Sequence, residues 1–326
     1  MPASDVLGGK LVLVTGGAGF IGSHLVDALL EKGAHVRVLD DLSTGKRENV
    51  AGVLPRIDFL EGDIRDVECC RRACEGAAFV FHQAARGSVP RSVSDPATTI
   101  AVNVAGTANV FAAARDAKVT RVVYASSSSV YGDSAALPKR EGEEGRPLSP
   151  YAVSKVMNEQ LADVFARCFG MQAVGLRYFN VYGPRQDPEG PYAAVIPRFF
   201  KACLAGEAPV IYGDGEQSRD FTFVSDAVAA NLAAAEAAGS ACGRAYNVAG
   251  GRRTTVAELA RRVREAAGSG LAAEHAPTRP GDVPHSLADL TRVRNALDWT
   301  PRVGISDGLA IAKTHYEVVA GGAVRR

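Results

Sequence analysis

Tyr151-Ala152-Val153-Ser154-Lys155 places a phenol and an ammonium four residues apart, a spacing that puts both on one face of a helix. Upstream, Ser126-Ser127-Ser128-Ser129-Val130-Tyr131-Gly132 ends a β-branched, aromatic run with a row of hydroxyls. These groups suit removal of a proton from a secondary alcohol whose carbon gives up a hydride. A phenol titrates near ~10, so a tyrosine base at pH 7 needs its pKa lowered by roughly 3 units, about 4 kcal/mol. An ammonium one turn away and the positive charge of an oxidised nicotinamide both act in that direction. A serine hydroxyl beside the phenol shares the alcohol's proton. Any long helix can carry Y-x-x-x-K by accident, so its meaning depends on a cofactor site elsewhere in the chain.

Such a site is legible near the N-terminus. Leu11-Val12-Leu13-Val14-Thr15-Gly16-Gly17-Ala18-Gly19-Phe20-Ile21-Gly22 is an apolar strand running into G-x-x-G-x-x-G and then into a helix-periodic stretch, Phe20–Glu31. Gly16 permits the tight turn, Gly19 lets backbone approach a pyrophosphate, and Gly22 lets helix and strand pack closely. A helix opening near Phe20 points free N–H groups and its positive dipole end at the phosphates. Val36-Arg37-Val38-Leu39-Asp40 ends a second strand with an acid 18 residues past Gly22, where a carboxylate accepts from both ribose hydroxyls of NAD. The same charge repels a 2′-phosphate, which favours NAD over NADP. Asp63, in Glu61-Gly62-Asp63-Ile64 after a third strand, either reaches the adenine or is an ordinary turn aspartate; its chemistry serves both.

These residues need a frame that gathers strand ends. Short β-branched or aromatic runs at 36–39, 57–60, 79–81, 121–125 and Ala173–Tyr178 alternate with helical stretches, the clearest at 97–117 and 149–169. That alternation predicts a doubly wound α/β fold, a parallel sheet with both faces covered and ligands at its carboxyl edge. Beyond Asn180 the chain is dense in breakers over 182–191, its elements shorten, and loops fall at 213–218, 249–253 and 277–285. The expected division is a dinucleotide-binding domain over 1–180 and a smaller α/β domain over 181–326 that caps the sheet edge.

Composition bounds the rest. The chain has 326 residues and a net charge of +1, with 47% hydrophobic and 22% charged residues, close to the globular average. So even a balance offers no footprint for nucleic acid or an anionic membrane. No 18-residue apolar run is expected to span a bilayer, and Met1-Pro2-Ala3-Ser4-Asp5 lacks the signature of a signal peptide, so a cytoplasmic location is expected. Cys69, Cys70, Cys74, Cys168, Cys203 and Cys242 form no C-x-x-C pair and no zinc spacing; they are expected as buried, reduced thiols, with no metal site.

Taken together, the motifs resemble those of the extended short-chain dehydrogenases/reductases that act on nucleotide sugars. The resemblance runs from Leu11 to about Leu309 and rests on Thr15 to Gly22, Phe81-His82-Gln83-Ala84-Ala85, Asn103-Val104-Ala105-Gly106-Thr107, Tyr151 to Lys155, and Tyr178-Phe179-Asn180-Val181-Tyr182-Gly183-Pro184. It implies a Rossmann sheet with tightly bound NAD and a nucleotide diphosphate sugar as substrate. It also implies that part of 220–250 returns to the first domain. A homodimer built on the 97–117 and 149–169 helices, as a four-helix bundle, is implied too. By its pattern Tyr151 is the base, Lys155 its partner and Ser127 the proton-sharing hydroxyl. Further cofactor contacts are implied at Phe20, Ile21, Ser43, Thr44, Gly45, Ile64, Gln83, Ala84, Ala85, Asn103 and Tyr178.

The family contains several chemistries. Members that dehydrate at C5 and C6 usually carry Asp-Glu after the catalytic hydroxyl residue, and decarboxylating members commonly keep a glutamate there. This chain has Ser128 and Ser129, which leaves 4-epimerisation through a transient 4-keto sugar. Arg219, in Gly213-Asp214-Gly215-Glu216-Gln217-Ser218-Arg219-Asp220-Phe221, and Arg279, with Asp282 in Arg279-Pro280-Gly281-Asp282, match the family's diphosphate side, where two guanidiniums bind in bidentate fashion. Ala194, Val195 and Tyr212 fall on the uridine side, which favours UDP. Ser88, Ser127, Ser128, Ser129, Tyr151, Asn180 and Gln217 are further implied substrate contacts. Ser286 stands where a large tyrosine excludes an N-acetyl group and a small residue admits it. The expected substrates are therefore UDP-N-acetylglucosamine and UDP-N-acetylgalactosamine, with UDP-glucose and UDP-galactose also accepted. The alternatives are a UDP-glucuronate 4-epimerase, with Arg185 serving the carboxylate, and a catalytically idle NAD-binding sensor.

Overall fold

Strand β1 (Leu11–Thr15) sends Val12 and Val14 into one hydrophobic layer and Leu13 into another, the period of two that a strand buried on both faces requires. The computed structural model describes residues 6–189, 193–278 and 284–323, with side chains as far as residue 320. After β1 come α1 (Phe20–Glu31), β2 (His35–Asp40), β3 (Ile57–Glu61), α2 (Val67–Cys74), β4 (Phe79–His82), α3 (Val89–Ser94), α4 (Pro96–Ile100), α5 (Thr107–Asp116), β5 (Arg121–Ser127), α6 (Pro150–Phe169) and β6 (Ala173–Tyr178). The remaining elements are β7 (Val181–Tyr182), α7 (Val195–Leu204), β8 (Val210–Tyr212), β9 (Ser218–Asp220), β10 (Thr222–Phe223), α8 (Val224–Glu236), β11 (Arg244–Val248), β12 (Arg253–Thr255), α9 (Val256–Ala267), β13 (Glu274–Ala276), α10 (Thr291–Leu297) and α11 (Ile305–Ala323).

The central sheet has seven strands in the order β11-β6-β5-β4-β1-β2-β3, and every pairing in it is parallel. This is a doubly wound Rossmann-like sheet, and its order reverses between β1 and β4, so β1 and β4 open the crevice where such sheets bind ligands. The last strand comes from the C-terminal half: β11 pairs with β6 from Arg244 opposite Val174 to Val248 opposite Tyr178. On one face Leu25 and Leu29 of α1 and Ala230 and Ala234 of α8 cover Val12, Val14 and Val123. On the other, Cys70 of α2, Phe111 of α5 and Ala162 of α6 cover Leu13, Val80 and Tyr124. Each fully buried Leu or Phe in these layers contributes about 1.5–3 kcal/mol. A third cluster, including Tyr182, Phe199, Phe200, Ile211, Leu259 and Leu309, forms the core of the C-terminal part.

Three local features depart from the sequence expectations. The 97–117 stretch is one helical rod, but its middle turn, Ala101–Gly106, is π-wound between α4 and α5. Periodicity finds a helix's buried face and does not register a single widened turn. The same rod, Pro96–Asp116, is long and apolar enough to cross a membrane, with a hydropathy of 1.3, which corrects the expectation that no such stretch exists. In the fold it packs on α2 and α6 and carries hydrogen-bonded, fully buried Asn103 and Thr107. Among the cysteines, Cys70, Cys74 and Cys203 are buried, whereas Cys168 is exposed and Cys69 and Cys242 are half-buried. Burial pushes the Cys70 and Cys74 thiols up to about 12, so both are protonated and inert near neutrality.

Candidate active site

The glycine loop is built by close approach. A Cβ at Gly22 would fall 2.0 Å from the Gly16 carbonyl oxygen, and one at Gly16, where φ is +70°, would fall 2.6 Å from the Ala84 nitrogen. No side chain is thick enough to spare in this gap, so the turn holds the ends of β1 and β4 together as bare backbone. Helix α1 opens at Gly19 without a side-chain cap and without an acid in its first turn. Its first N–H groups, from Phe20, Ile21 and Gly22, therefore point a positive dipole end into a crevice lined by backbone. That cradle fits a dinucleotide pyrophosphate.

Asp40 stands where β2 ends, 6% exposed. Its carboxylate accepts from the Ala18 amide at 2.9 Å and the Leu42 amide at 2.8 Å. Burial raises its pKa, and those two amides oppose the rise. Each oxygen keeps a further lone pair for a ribose hydroxyl. Around it, Ser43 and Thr44 are exposed, and the Ser43 amide and hydroxyl both bond Asp41. Asp63 is a turn aspartate: Arg65 donates to it from its amide, Nε and Nη2, which holds the carboxyl below its usual range. Ile64 is buried, and its carbonyl accepts from Asn109 at 3.1 Å.

The catalytic candidates meet at the carboxyl end of β5. Ser127 is its last residue, and its hydroxyl lies near enough to the Tyr151 phenol to lower the phenol's pKa. It also caps the short turn that follows by accepting from the Ser129 amide at 3.2 Å. Ser149 caps α6 by accepting from the Ala152 amide, and Pro150 occupies the first turn, so the helix begins one residue before Tyr151. Lys155, 2% exposed, lies with Nζ 5.8 Å from the Tyr151 ring centre and donates to the Ala125 carbonyl at 2.8 Å. Burial lowers the Lys155 pKa to about 8, with the Glu159 charge opposing. Burial raises the Tyr151 phenol, and the Ser127 hydroxyl pulls it the other way. The ammonium was expected to lower the phenol; in this geometry burial outweighs what the protein alone supplies.

Three supporting residues have no local sequence signal. His82, at the end of β4, accepts from the Thr15 hydroxyl at Nδ1 (2.7 Å) and bonds Thr107 through Nε2 (2.9 Å). Because the Thr107 hydroxyl itself donates to the Asn103 carbonyl, the ring carries its proton on Nε2. Burial, reinforced by the Lys155 charge, lowers His82 to about 3, so it is neutral. Asn231, fully buried on α8, closes a ring with Gln83 and Tyr178. Gln83 Nε2 donates to its Oδ1 at 3.0 Å, its Nδ2 donates to the Tyr178 hydroxyl at 2.7 Å, and that hydroxyl donates to Gln83 Oε1 at 3.2 Å. Glu159 lies one turn past Lys155 on α6. Asn103, in the π turn, bonds the Arg86 amide and carbonyl and the Ser154 hydroxyl. Beside Gln83, Ala84 donates its amide to Thr15 and Ala85 is half-buried.

On the substrate side, Ser286 is 9% exposed, and its amide donates to the Ser218 carbonyl at 3.0 Å. This places it beside Arg219, whose Nη1 donates to that same carbonyl and to the Pro284 carbonyl. Gln217 donates to the Tyr212 carbonyl at 2.7 Å, and the Arg198 guanidinium lies 5.3 Å over the Tyr212 ring. Ala194 and Val195 open α7. Asn180, at φ +35°, donates to the Asp220 carbonyl. Ser88, at φ +95°, caps α3 by accepting from Arg91. Arg185 pairs its Nη2 with Asp27 of α1 at 2.7 Å, while its Nη1 is buried without a hydrogen-bond partner among the described residues. Ser128 and Ser129 are half-buried in the turn after β5. Arg279 and Asp282 lie outside the described residues.

A phenol beside a serine hydroxyl, over a buried lysine and beside a dinucleotide cradle, can shuttle a proton during hydride transfer. The chain matches the NAD dependent epimerase/dehydratase family over residues 12–249. It is 42% identical over 302 residues to the UDP-glucose 4-epimerase of Mycolicibacterium smegmatis, covering 91% of this chain and 96% of that protein. The structure is similar to that of the UDP-N-acetylglucosamine 4-epimerase from Methanobrevibacter ruminantium in complex with UDP-N-acetylmuramic acid, with a TM-score of 0.92, 38% identity, and 96% and 99% of the two chains covered. It is also similar to the Thermus thermophilus UDP-glucose 4-epimerase in complex with NAD, with a TM-score of 0.83, 38% identity, and 94% and 98% covered.

Proposed function

The chain belongs to the NAD dependent epimerase/dehydratase family, and from that premise we propose that it inverts C4 of a UDP-sugar, with UDP-N-acetylglucosamine and UDP-N-acetylgalactosamine as its preferred pair and UDP-glucose and UDP-galactose also accepted. The observation that carries this reading is the meeting of Ser127 and Tyr151 above the buried Lys155 at a strand end followed by Ser128 and Ser129. Dehydration needs an acid and a base for water elimination, and serines at these positions supply neither.

Tyr151, as phenolate, takes the O4 proton, which the neighbouring Ser127 hydroxyl passes to it. Lys155 keeps a positive charge beneath the ring and is anchored by the Ala125 carbonyl. NAD supplies the acceptor and return donor of the C4 hydride and, when oxidised, the positive charge that offsets burial of the phenol. Tyr151 then returns its proton to O4 of the inverted sugar. Gly16, Gly19 and the α1 N-terminus hold the pyrophosphate, and Asp40 holds the adenosine ribose. Arg219 meets the substrate diphosphate. Ser286, small and bonded through its amide to the Ser218 carbonyl next to Arg219, leaves room for an N-acetyl group.

The alternative is a UDP-glucuronate 4-epimerase, in which Arg185, with Nη2 on Asp27 and Nη1 without a partner among the described residues, serves the sugar carboxylate. An idle sensor is disfavoured by the intact Ser127, Tyr151 and Lys155. The reading includes a homodimer. Val153, Met157 and Val164 are exposed apolar residues on one stripe of α6, the helix on which the 96–116 rod packs. Incubating the protein separately with UDP-N-acetylglucosamine, UDP-glucose and UDP-glucuronate, and following C4 configuration by NMR, tests the assignment. Epimers of the first two are expected. No epimer from any of the three would refute 4-epimerisation, and turnover of glucuronate alone would overturn the sugar preference.

A further inference from the structure

Tyr151, Lys155 and Glu159 follow one another at intervals of one helical turn on α6, and the third has no part in the reaction derived above. The Glu159 carboxylate grips both neighbouring strands. Oε1 accepts from the Ser126 hydroxyl at 2.5 Å and from Arg177 Nε at 2.9 Å, and Oε2 accepts from Arg177 Nη2 at 2.7 Å. Ser126 immediately precedes Ser127 on β5, and Arg177 immediately precedes Tyr178 on β6. One side chain therefore ties the helix that carries the base to the two strand ends that carry its hydroxyl partner and a cofactor-side phenol.

The charges around it do not cancel in pairs. Arg177, its side chain 7% exposed, also bonds Glu144 at 2.5 Å, so two carboxylates share one guanidinium. The surplus negative charge lies one turn from the buried Lys155 ammonium. Two further carboxylates face this region, Asp163, next along α6 and paired with Arg167, and Glu141, which accepts from the Asn247 amide and lies 3.9 Å from Arg292; the remaining groups are neutral. His82 from β4 is held far below its ordinary value, and burial raises the phenols of Tyr124 from β5, Tyr131 from the following turn, and Tyr151 itself. A buried ammonium without a counter-charge is strongly disfavoured. Removing one carboxylate from this set leaves the ammonium unbalanced.

We propose that Glu159 is a positioning residue that clamps Ser127 and Tyr178 against the helix bearing Tyr151 and Lys155, and that the Glu159–Arg177–Glu144 set is the counter-charge of the Lys155 ammonium. This deepens the proposed epimerase reading and rests on it for the reaction served. The charge follows from the geometry: with Glu159 neutral, Lys155 keeps the Ala125 carbonyl but loses the nearest carboxylate, so it loses its proton at lower pH.

Glu159→Gln keeps the shape and removes the charge. Lysine labelled with 13C at Cε reports the Lys155 titration by NMR without any turnover, once Lys155→Met has identified its resonance. Glu159→Gln is expected to move that titration down by about one pH unit, to move the alkaline limb of kcat with it, and to lower kcat at pH 7 roughly tenfold with little change in KM. An unchanged titration and an unchanged limb would overturn the counter-charge even if activity fell. Should Glu159→Gln not fold, Glu144→Gln removes charge from the more exposed end of the set and is expected to shift the Lys155 titration in the same direction by a smaller step; no shift there would overturn the proposal. Because the NMR reading needs no substrate, a shifted titration in a protein that epimerises nothing would leave the counter-charge standing and sink the epimerase reading alone.

Discussion

Lys155 and Tyr151 sit one helical turn apart, with the ammonium 5.8 Å from the centre of the phenol ring and bonded to the backbone of β5 through the Ala125 carbonyl. The lysine is thus fixed by the sheet and acts on the phenol through space. Tyr151→Phe should therefore abolish C4 inversion, by at least a factor of about 10³, while leaving NAD bound at its wild-type level, as read by absorbance of cofactor released on denaturation. Undiminished turnover would show that another group is the base.

The depressed Lys155 pKa makes activity and stability move in opposite directions with pH. Its ordinary value is near ~10.4 and its folded value about 8, so between the two the unfolded chain binds more protons and folding is favoured as pH rises. Turnover is expected to fall over the same window as the ammonium is lost. Urea titrations should show wild type gaining on Lys155→Met between pH 8 and 10, by a few kcal/mol at most. A stability difference that is flat across that window would mean the ammonium is not the titrating group.

Gly22→Ala places a methyl 2.0 Å from the Gly16 carbonyl oxygen, so either α1 or the turn must move. The expected result is a loss of about 2–4 kcal/mol in stability, on the scale of an overpacked core site, together with cofactor-free protein as purified. Thermal denaturation and bound-NAD content measure the two separately. A variant that keeps its full complement of NAD would show that the close approach is not part of the cofactor cradle.

Asn231→Leu leaves the polar ends of Gln83 and Tyr178 buried without their shared partner. A destabilisation of about 1–3 kcal/mol is expected. In a double-mutant cycle with Tyr178→Phe the two losses should fall short of additivity by about 1 kcal/mol, because the three side chains form one ring. Additive losses would show that the ring is not a unit.

Ser286→Tyr should cut kcat/KM for UDP-N-acetylglucosamine by at least tenfold while sparing UDP-glucose, measured by NMR on both substrates. Equal losses on the two would remove Ser286 from the specificity of the site.

Much of the fold was legible because its signals are local. The apolar run at Leu11–Thr15, the glycine spacing that follows and the helix at Phe20–Glu31 coincide with β1, the cradle and α1 residue for residue. Tyr151 and Lys155 were legible because helical spacing fixes their geometry. The residues that hold them were not. Asn231 meets Gln83 across 148 positions and His82 meets Thr15 across 67, and no window along the chain contains such pairs. Two loop residues gain partners of the same long-range or structural kind: α1 brings Asp27 to Arg185, and Ser88 caps α3.

The seventh strand has a consequence for synthesis. All six residues of β6 are buried, and its outer edge is covered only by β11. While the ribosome is making residues 179–243, that edge presents an unpaired row of amides and carbonyls on an apolar strand. The nascent chain is therefore most exposed to wrong partners late in translation, after most of the nucleotide-binding sheet already exists. A chain arrested short of Arg244 would carry that sticky edge permanently, and the arrival of β11 closes the sheet as well as extending it.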